Sequence, residues 1–595
     1  MADDGAGPSG KAPLEPPPTR LSATRRLNSR SKASSFDDEV VTTSSLESLQ
    51  SRHQVEGEPS PYDAASQADG SKNDGPWLET LQKEFGWQLL STIMAAQHMF
   101  KGFVNTLVRS NWYYIVKQYS VPATRVSIYE GVVYLPWALK PMIGFISDFF
   151  TIGGYAKLPY LLLSALLGTG SLAILGYYQR SLAIGTVVGL LFYVSLAQAT
   201  TDLLIEAAYA RSMREKPQHA PSLTSFVWGG MVVAGMFATL VSGVFLSYGS
   251  PWTLYTVSMW PCAFLLIPTL QNWIMEAPMT DSQVQTQRDN IMKQSEALAL
   301  CLIILVSCII LSYSGLMLSV KMNALVSLMV LILVLVSFSL LLNPIIAKVN
   351  AFGLIQTAMN VSLGSAAFFF MLDSPKEYPE GPHFSVPFVS VVLPLVGSVF
   401  SIVGIWIYNL HAGHWSYQKM FIIGNLIVLV TSLADVIFFL RWNRLVGLED
   451  HLFVLGSAAF QSVIEEWLWM PNSLILAQLC PRGLEAIMYA NLAGCHNLGN
   501  SISNSLGALL LEVYHVEPTG SRPEMHQFDN LWLVSLISTL LPLMPVALVP
   551  WFIPNKLNTE PILENPAMSI NEGSLLGQWL GWASEDIDVA DRHSS

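Results

Sequence analysis

From about residue 88 onward, apolar runs of membrane-spanning length alternate with short polar breaks, and none of the runs shows a strict two-residue alternation. A helix needs about 20 apolar residues to cross the hydrocarbon layer. Run length and the missing two-residue period therefore predict helices, not a barrel. Candidate spans fall near 88–115, 124–146, 158–178, 182–209, 222–247 and 252–275. Two purely aliphatic runs follow near 297–317 and 322–342. Six more lie near 347–372, 388–409, 418–440, 452–478, 485–513 and 531–552, for an expected total of 14. An even number puts both chain ends on one side. Lys157, Arg211, Arg214, Lys216, Arg288, Lys293, Lys348, Lys419 and Arg482 would share that side, against Lys117, Arg180, Lys321, Lys376, Arg441, Arg444 and Arg522 on the other. The slight basic excess favours cytoplasmic termini.

Composition sharpens this picture. The 595 residues are 51% hydrophobic and 12% charged, with a mean hydropathy of +0.42. A soluble domain carries about 25% charged residues, so an ordinary soluble enzyme is excluded, as are a collagen and a fully disordered chain. The net charge of −12 comes mostly from the two ends, and no basic surface suggests nucleic acid. Residues 1–75 are rich in Pro, Ser, Gly and charge and are expected to be a disordered cytoplasmic tail without a signal peptide. Residues 553–595 are expected to form an acidic cytoplasmic tail. The five cysteines, Cys262, Cys301, Cys308, Cys480 and Cys495, have neither metal-site nor disulfide spacing. His411 and His414 lack a third ligand, so no metal and no cofactor are expected.

Charges inside apolar runs carry the candidate chemistry, because each costs about 2.5–3.5 kcal/mol at mid-membrane on insertion scales. Lys140 lies between Pro136 and Pro141, beside Trp137, where the prolines predict a kink. It could bind an anionic group or pair with Glu130 or a helix-4 carboxylate. Asp202 and Glu206 are four residues apart on one helix face. Such a pair can prepare a proton-coupling carboxylate, contact substrate, or pack against Lys140 or Arg211. Glu465 and Glu466 point about 100° apart, so one of them is expected to face a cavity. Arg109 and Lys101 could face a cavity or snorkel, and His98 and His496 could relay protons or simply pack. Two segments share glycine intervals of 5 and 8 at an offset of 264: Gly230, Gly235, Gly243 and Gly494, Gly499, Gly507. The offset matches the separation of the two six-helix groups, as in duplicated transporter halves.

Four segments give the chain a resemblance to the folate–biopterin transporters, a branch of the major facilitator superfamily. They are Leu135-Pro136-Trp137-Ala138-Leu139-Lys140-Pro141 through Ser147-Asp148, then Asp202 through Ala207 with Arg211, then the glycine-rich stretch from Ser222 to Gly243, and last Met470-Pro471 with Cys480 through Ala486 and Asn497-Leu498-Gly499. The resemblance implies an all-α polytopic membrane protein with two six-helix bundles at 76–275 and 347–552. A central linker at 276–346 would add two further helices. It implies import of folate or pterin nutrients by alternating access, coupled to protons, across the plasma membrane. Another organic solute such as S-adenosylmethionine, or a scaffold without transport, is the alternative; no enzyme motif is present. Lys140, Trp137, Arg109, Asp202, Glu206, Glu465 and Glu466 are the candidate substrate contacts, with Asp202 and Glu206 coupling protons. The resemblance further assigns Gly144, Asp148 and Lys157, with Arg211, to a cytoplasmic gate, although Phe149 stands where the superfamily's loop has a basic residue. The expected partners are the folate or pterin solute, protons and the lipid bilayer.

Overall fold

The computed structural model describes residues 76–411, 415–480, 485–521, 523–524, 526–557, 560, 562–563 and 570–580. The tail at 1–75, the last residues of the acidic tail, His414, Arg482 and Arg522 lie outside the described residues. Among the described residues there is no strand, only two isolated bridges. This is what a chain in hydrocarbon must do, since a helix satisfies its backbone groups within one segment.

Helix α1 is built from Trp77–Ile93, a π-helical run Met94–Val104, and Asn105–Gln118. Gly86 bends its start at a φ of 78°. Helix α2 comprises Ala123–Tyr134, a 3-10 turn Leu135–Leu139, and Lys140–Phe149. The kink expected from Pro136 and Pro141 is thus present, directly before Lys140. Helices α3 (Leu158–Tyr178), α4 (Ile184–Glu215), α5 (Ala220–Tyr248) and α6 (Pro251–Phe264, continued by Leu266–Leu270) complete the first group. A polar helix α7 (Asp281–Met292) opens on a Thr280–Gln283 capping box. The aliphatic hairpin α8 (Ser295–Met317) and α9 (Val320–Leu341) follows. The last group is α10 (Pro344–Met359 and Gly364–Leu372), α11 (Phe388–Val392 and Leu393–His411), α12 (Tyr417–Phe439), α13 (Asp450–Gln478), α14 (Glu485–Val513) and α15 (Leu531–Leu540 and Leu543–Phe552).

The segments run alternately up and down. The face on which α1 begins is called proximal here, and the opposite face distal. The chain returns to the proximal face after α15, where the Asn343 amide donates to Ile570 O. Ten helices among the described residues are long and apolar enough to cross a membrane: α3–α6, α8–α12 and α15. The expected total of 14 is therefore not confirmed. The other four expected spans, α1, α2, α13 and α14, carry most of the buried charged and amide side chains.

The glycine rhythm has a packing reason. A Cβ at Gly230 would strike the His98 ring on α1, and one at Gly243 would strike Val391 on α11. In the second copy, a Cβ at Gly499 would sit 3.0 Å from Thr357 on α10, one at Gly494 3.0 Å from Ala138 O on α2, and one at Gly507 would strike Ser362 O. Helix α5 thus meets α1 and α11, while α14 meets α10 and α2. Each glycine-rich helix crosses one neighbour in its own group and one in the other, at distances only a missing side chain permits. The hairpin α8–α9 packs on the outside of the α2–α14 seam. Its outward residues, such as Ile309, Tyr313 and Ile332, stay exposed, as a lipid-facing surface requires.

Candidate functional site

The π-helical run of α1, the broken middle of α2 and the centre of α4 converge on one carboxylate. Lys140 Nζ lies 2.6 Å from Asp202 Oδ2, and Lys101 Nζ lies 3.0 Å from Asp202 Oδ1. Gln97 Nε2 donates to the same Oδ1 at 2.9 Å. Gln97 and Lys101 are one turn apart, so the widened π turn aims both at Asp202. All three charged side chains are at most 3% exposed. Trp137 lies 5.2 Å beneath the Lys140 ammonium, and Trp228 lies 5.9 Å beneath that of Lys101. Each ring face adds a cation–π contact.

Of the alternatives open to Lys140, the helix-4 carboxylate is the one realised. Glu130 instead accepts from Tyr113 Oη at 2.8 Å. Glu206 is buried one turn from Asp202 toward the proximal face. Arg109 lies two turns distal of Lys101, 4.5 Å from the Tyr134 ring centroid, and is buried rather than snorkelling. His98 Nε2 is 3.0 Å from Phe226 O, a packing contact.

The last group holds a different kind of polar centre. A cavity of about 100 Å³ is lined by Glu465, His496, Gln356, Asn425, Asn472 and Trp469, among others. His496 Nδ1 lies 2.9 Å from Thr357 Oγ1, and Gln356 Nε2 is 3.3 Å from Asn425 Oδ1. Glu465 lines this cavity and Glu466 does not, which matches the expectation that only one would; both are buried. Amide side chains dominate this wall, where lysines dominate the other.

The two centres meet along the α2–α14 seam. Asn497 Nδ2 reaches Trp137 O at 3.3 Å, in the same 3-10 turn that positions Lys140.

The expected gate residues lie at the proximal face. Gly144 packs against Leu203, and Asp148 and Lys157 stand at the two ends of the α2–α3 loop, close enough to act on each other's charge. Arg211 is exposed at the end of α4. What fixes this loop was not foreseen. Glu276, after α6, accepts the backbone N–H groups of Ala156, Lys157 and Leu158, capping α3 with a carboxylate where the helix dipole favours one. Arg288 and Gln287 of α7 donate to the Phe149 and Asp148 carbonyls at the end of α2. No signal in the sequence marks these partners, because each lies more than 100 residues from the group it holds.

With the geometry in place, the chain can be set beside known proteins. The profile of the BT1 family matches residues 101–565. The chain belongs to the BT1 family. A relative from Arabidopsis thaliana named "Probable folate-biopterin transporter 6" is 26% identical over 478 residues, which is 80% of this chain and 84% of that protein. The "Folate-biopterin transporter" of Synechocystis sp. is 27% identical over 425 residues, covering 71% and 73% of the two chains. "Folate transporter 2" of Plasmodium falciparum is 23% identical over 459 residues, covering 75% and 84%. Among solved structures, a peptide transporter POT in complex with sulfate superposes with a TM-score of 0.55 at 15% identity, over 80% of this chain and 98% of that one. This BT1-family chain therefore has the all-α transporter fold expected of the major facilitator type, and is an integral multi-pass membrane protein. Family and fold are those of transporters, not of an enzyme.

Proposed function

We propose that this BT1-family protein is a secondary transporter that imports folate and pterin-like solutes by alternating access. The observation that carries the reading is Asp202 clamped between Lys101 and Lys140 in an apolar interior. A buried ion cluster that served stability alone would gain little over apolar packing, since desolvation offsets most of the attraction. A functional role explains its presence better. The glutamate carboxylates of a folate can exchange with Asp202 for one ammonium group. Trp137, already beside that ammonium, offers a face to a flat ring, and Arg109 a second cation. The printed names of the relatives, folate and folate-biopterin transporters, support the solute class.

Proton coupling is assigned to Asp202 and Glu206. Displacing Asp202 from its lysines exposes it to protonation, and Glu206 lies one turn nearer the proximal face. Glu465 faces the solute from the other half, 347–552, with Glu466 buried beside it, against the first bundle at 76–275, with 276–346 as linker. Gly144, Asp148, Lys157 and Arg211 form the proximal gate. The slight excess of basic residues expected on that side supports a cytoplasmic proximal face, and the plasma membrane, with the bilayer and protons as remaining partners, completes the reading.

Uptake of labelled folate, biopterin and S-adenosylmethionine, run in parallel with and without a pH gradient, tests the assignment. Lys140→Ala at equal surface expression is expected to lower folate uptake by at least tenfold, the loss of about 1.4 kcal/mol or more of binding. Uptake at the wild-type level would refute the role of Lys140. Uptake of S-adenosylmethionine alone would overturn the solute class.

A further inference from the structure

On the distal face, a cleft of about 760 Å³ opens between the two groups of helices, walled by Trp252, Tyr114, Gln118 and Arg180 on one side and by Glu377, His383 and Phe384 on the other. At its floor Lys117, the last cation of α1, reaches across. Its Nζ is 2.9 Å from Asp373 Oδ1, at the end of α10, and 3.5 Å from Glu377 Oε2. Lys117 is 20% exposed to the cleft, while the Asp373 side chain is fully buried. This ion pair is one of several distal ties between the groups: Ser127 meets Ser365 at 2.7 Å, and the Ala123 amide donates to Pro518 O.

Behind Asp373 lies a second buried carboxylate. Glu524, 4% exposed, sits in the loop after α14, near enough to Asp373 for a hydrogen bond between the two side chains. Glu524 Oε1 takes the Thr519 and Gly520 amides. Glu524 Oε2 and Asp373 Oδ2 are buried and accept from no donor among the described residues. Two buried carboxyl groups this close favour holding a proton over carrying two charges. The other titratable groups around Asp373 are Lys117 from α1 and, in its own loop, Glu377 and His383, whose Nδ1 lies 2.6 Å from the Asp373 backbone oxygen.

We propose that Asp373 and Glu524 form a proton-binding site on the distal face whose proton keeps the buried carboxylates behind Lys117 from carrying two charges, so that loss of the proton loosens the contact between the two groups of helices. The inference rests on reading the distal face as one gate of alternating access. The sign follows from charge. With the proton bound, the Asp373 and Glu524 pair carries one charge fewer in its buried place behind Lys117, and the closed arrangement keeps it out of water at less cost. With the proton lost, a second buried charge is only partly offset by Lys117, and opening the seam to water relieves it, because a group that binds its proton more tightly when buried stabilises the buried arrangement by binding it. Burial pushes the Asp373 carboxyl up to about 8, with Glu524 adding to the effect and Lys117 opposing it. The proton therefore exchanges within the ordinary range of pH. The cleft supplies the path, since Lys117, Glu377 and Gly520 all line it.

Accessibility of a buried distal residue reads the latch without transport. A Ser365→Cys reporter lies at the closed seam and a Ser385→Cys reporter lies exposed in the cleft. The ratio of their modification rates by a membrane-impermeant thiol reagent cancels the reagent's own pH dependence. Four of the five native cysteines are buried and the fifth is half-buried, and the chain without a reporter corrects for them. The ratio is expected to rise about tenfold as the pH is raised through a midpoint near 8. Glu524→Gln should move the midpoint to lower pH, and Asp373→Asn, uncharged at every pH, should hold the ratio low throughout. A flat ratio in the otherwise native chain, or an unchanged midpoint in Glu524→Gln, would overturn the latch. The native-sequence profile decides even if Asp373→Asn fails to reach the membrane. A flat profile with folate uptake intact removes the latch and leaves the transport reading; a titrating profile without uptake does the reverse.

Discussion

The polar interiors of the two groups of helices solve the same problem in opposite ways. In the first, ionised groups neutralise one another directly: two lysines and a glutamine on one aspartate, with no water-sized space required. In the second, neutral amides, a histidine and Glu465 surround a cavity of about 100 Å³. A closed ion cluster is rigid and costly to break, whereas an amide-lined cavity can take water or solute with little rearrangement. The difference suggests a division of labour, with charge exchange on one wall and adaptable hydrogen bonding on the other.

The comparison can be broken most severely at Asp202. Asp202→Asn leaves two buried ammonium groups facing each other, and removing one partner of a buried pair costs about 3–5 kcal/mol. A large drop in the melting temperature of the purified protein is expected, and an unchanged one would mean that the cluster is hydrated. Gln97→Leu is milder. It removes one hydrogen bond to a charged acceptor, a loss of about 1.5–3 kcal/mol. The matching change in the other group, Gln356→Leu, removes a 3.3 Å bond between two neutral amides. It should cost about 0.5–1.5 kcal/mol. Equal losses from the two glutamine variants in the same melting assay would erase the proposed distinction.

Much of the first centre was legible because its residues break a local rule. Lys140 between two prolines and Asp202 in an apolar run stand out against their neighbours, and so does the glycine spacing that sets the crossings of α5 and α14. Lys101 was noticed but not joined to Asp202, since the two are 101 residues apart and only the tertiary fold brings them together. The distal cluster was missed for a different reason. Asp373, Glu377 and Glu524 lie in polar loops, where acidic residues are unremarked, and nothing local reveals that two of them become buried. Glu276 and Arg288 escaped notice likewise, as ordinary linker charges. The span total stays unconfirmed at α1, α2, α13 and α14, which trade hydropathy for buried polar groups, and that is also where the candidate chemistry lies.

The inserted hairpin carries a mechanical consequence. Near its distal tip, Gly315 nestles against Ile128 and Val132 of α2, while Asn323, itself bonded to Ser314, donates to Ser505 of α14 at 3.0 Å. It is therefore a strap laid over the joint about which the halves would swing in the proposed alternating access. Any swing that parts α2 from α14 has to peel the strap off one of them. The α2 side is tied as well, since Arg125 Nη1 donates to Leu318 O at 2.7 Å, so the hairpin stitches both groups of helices together at its distal tip.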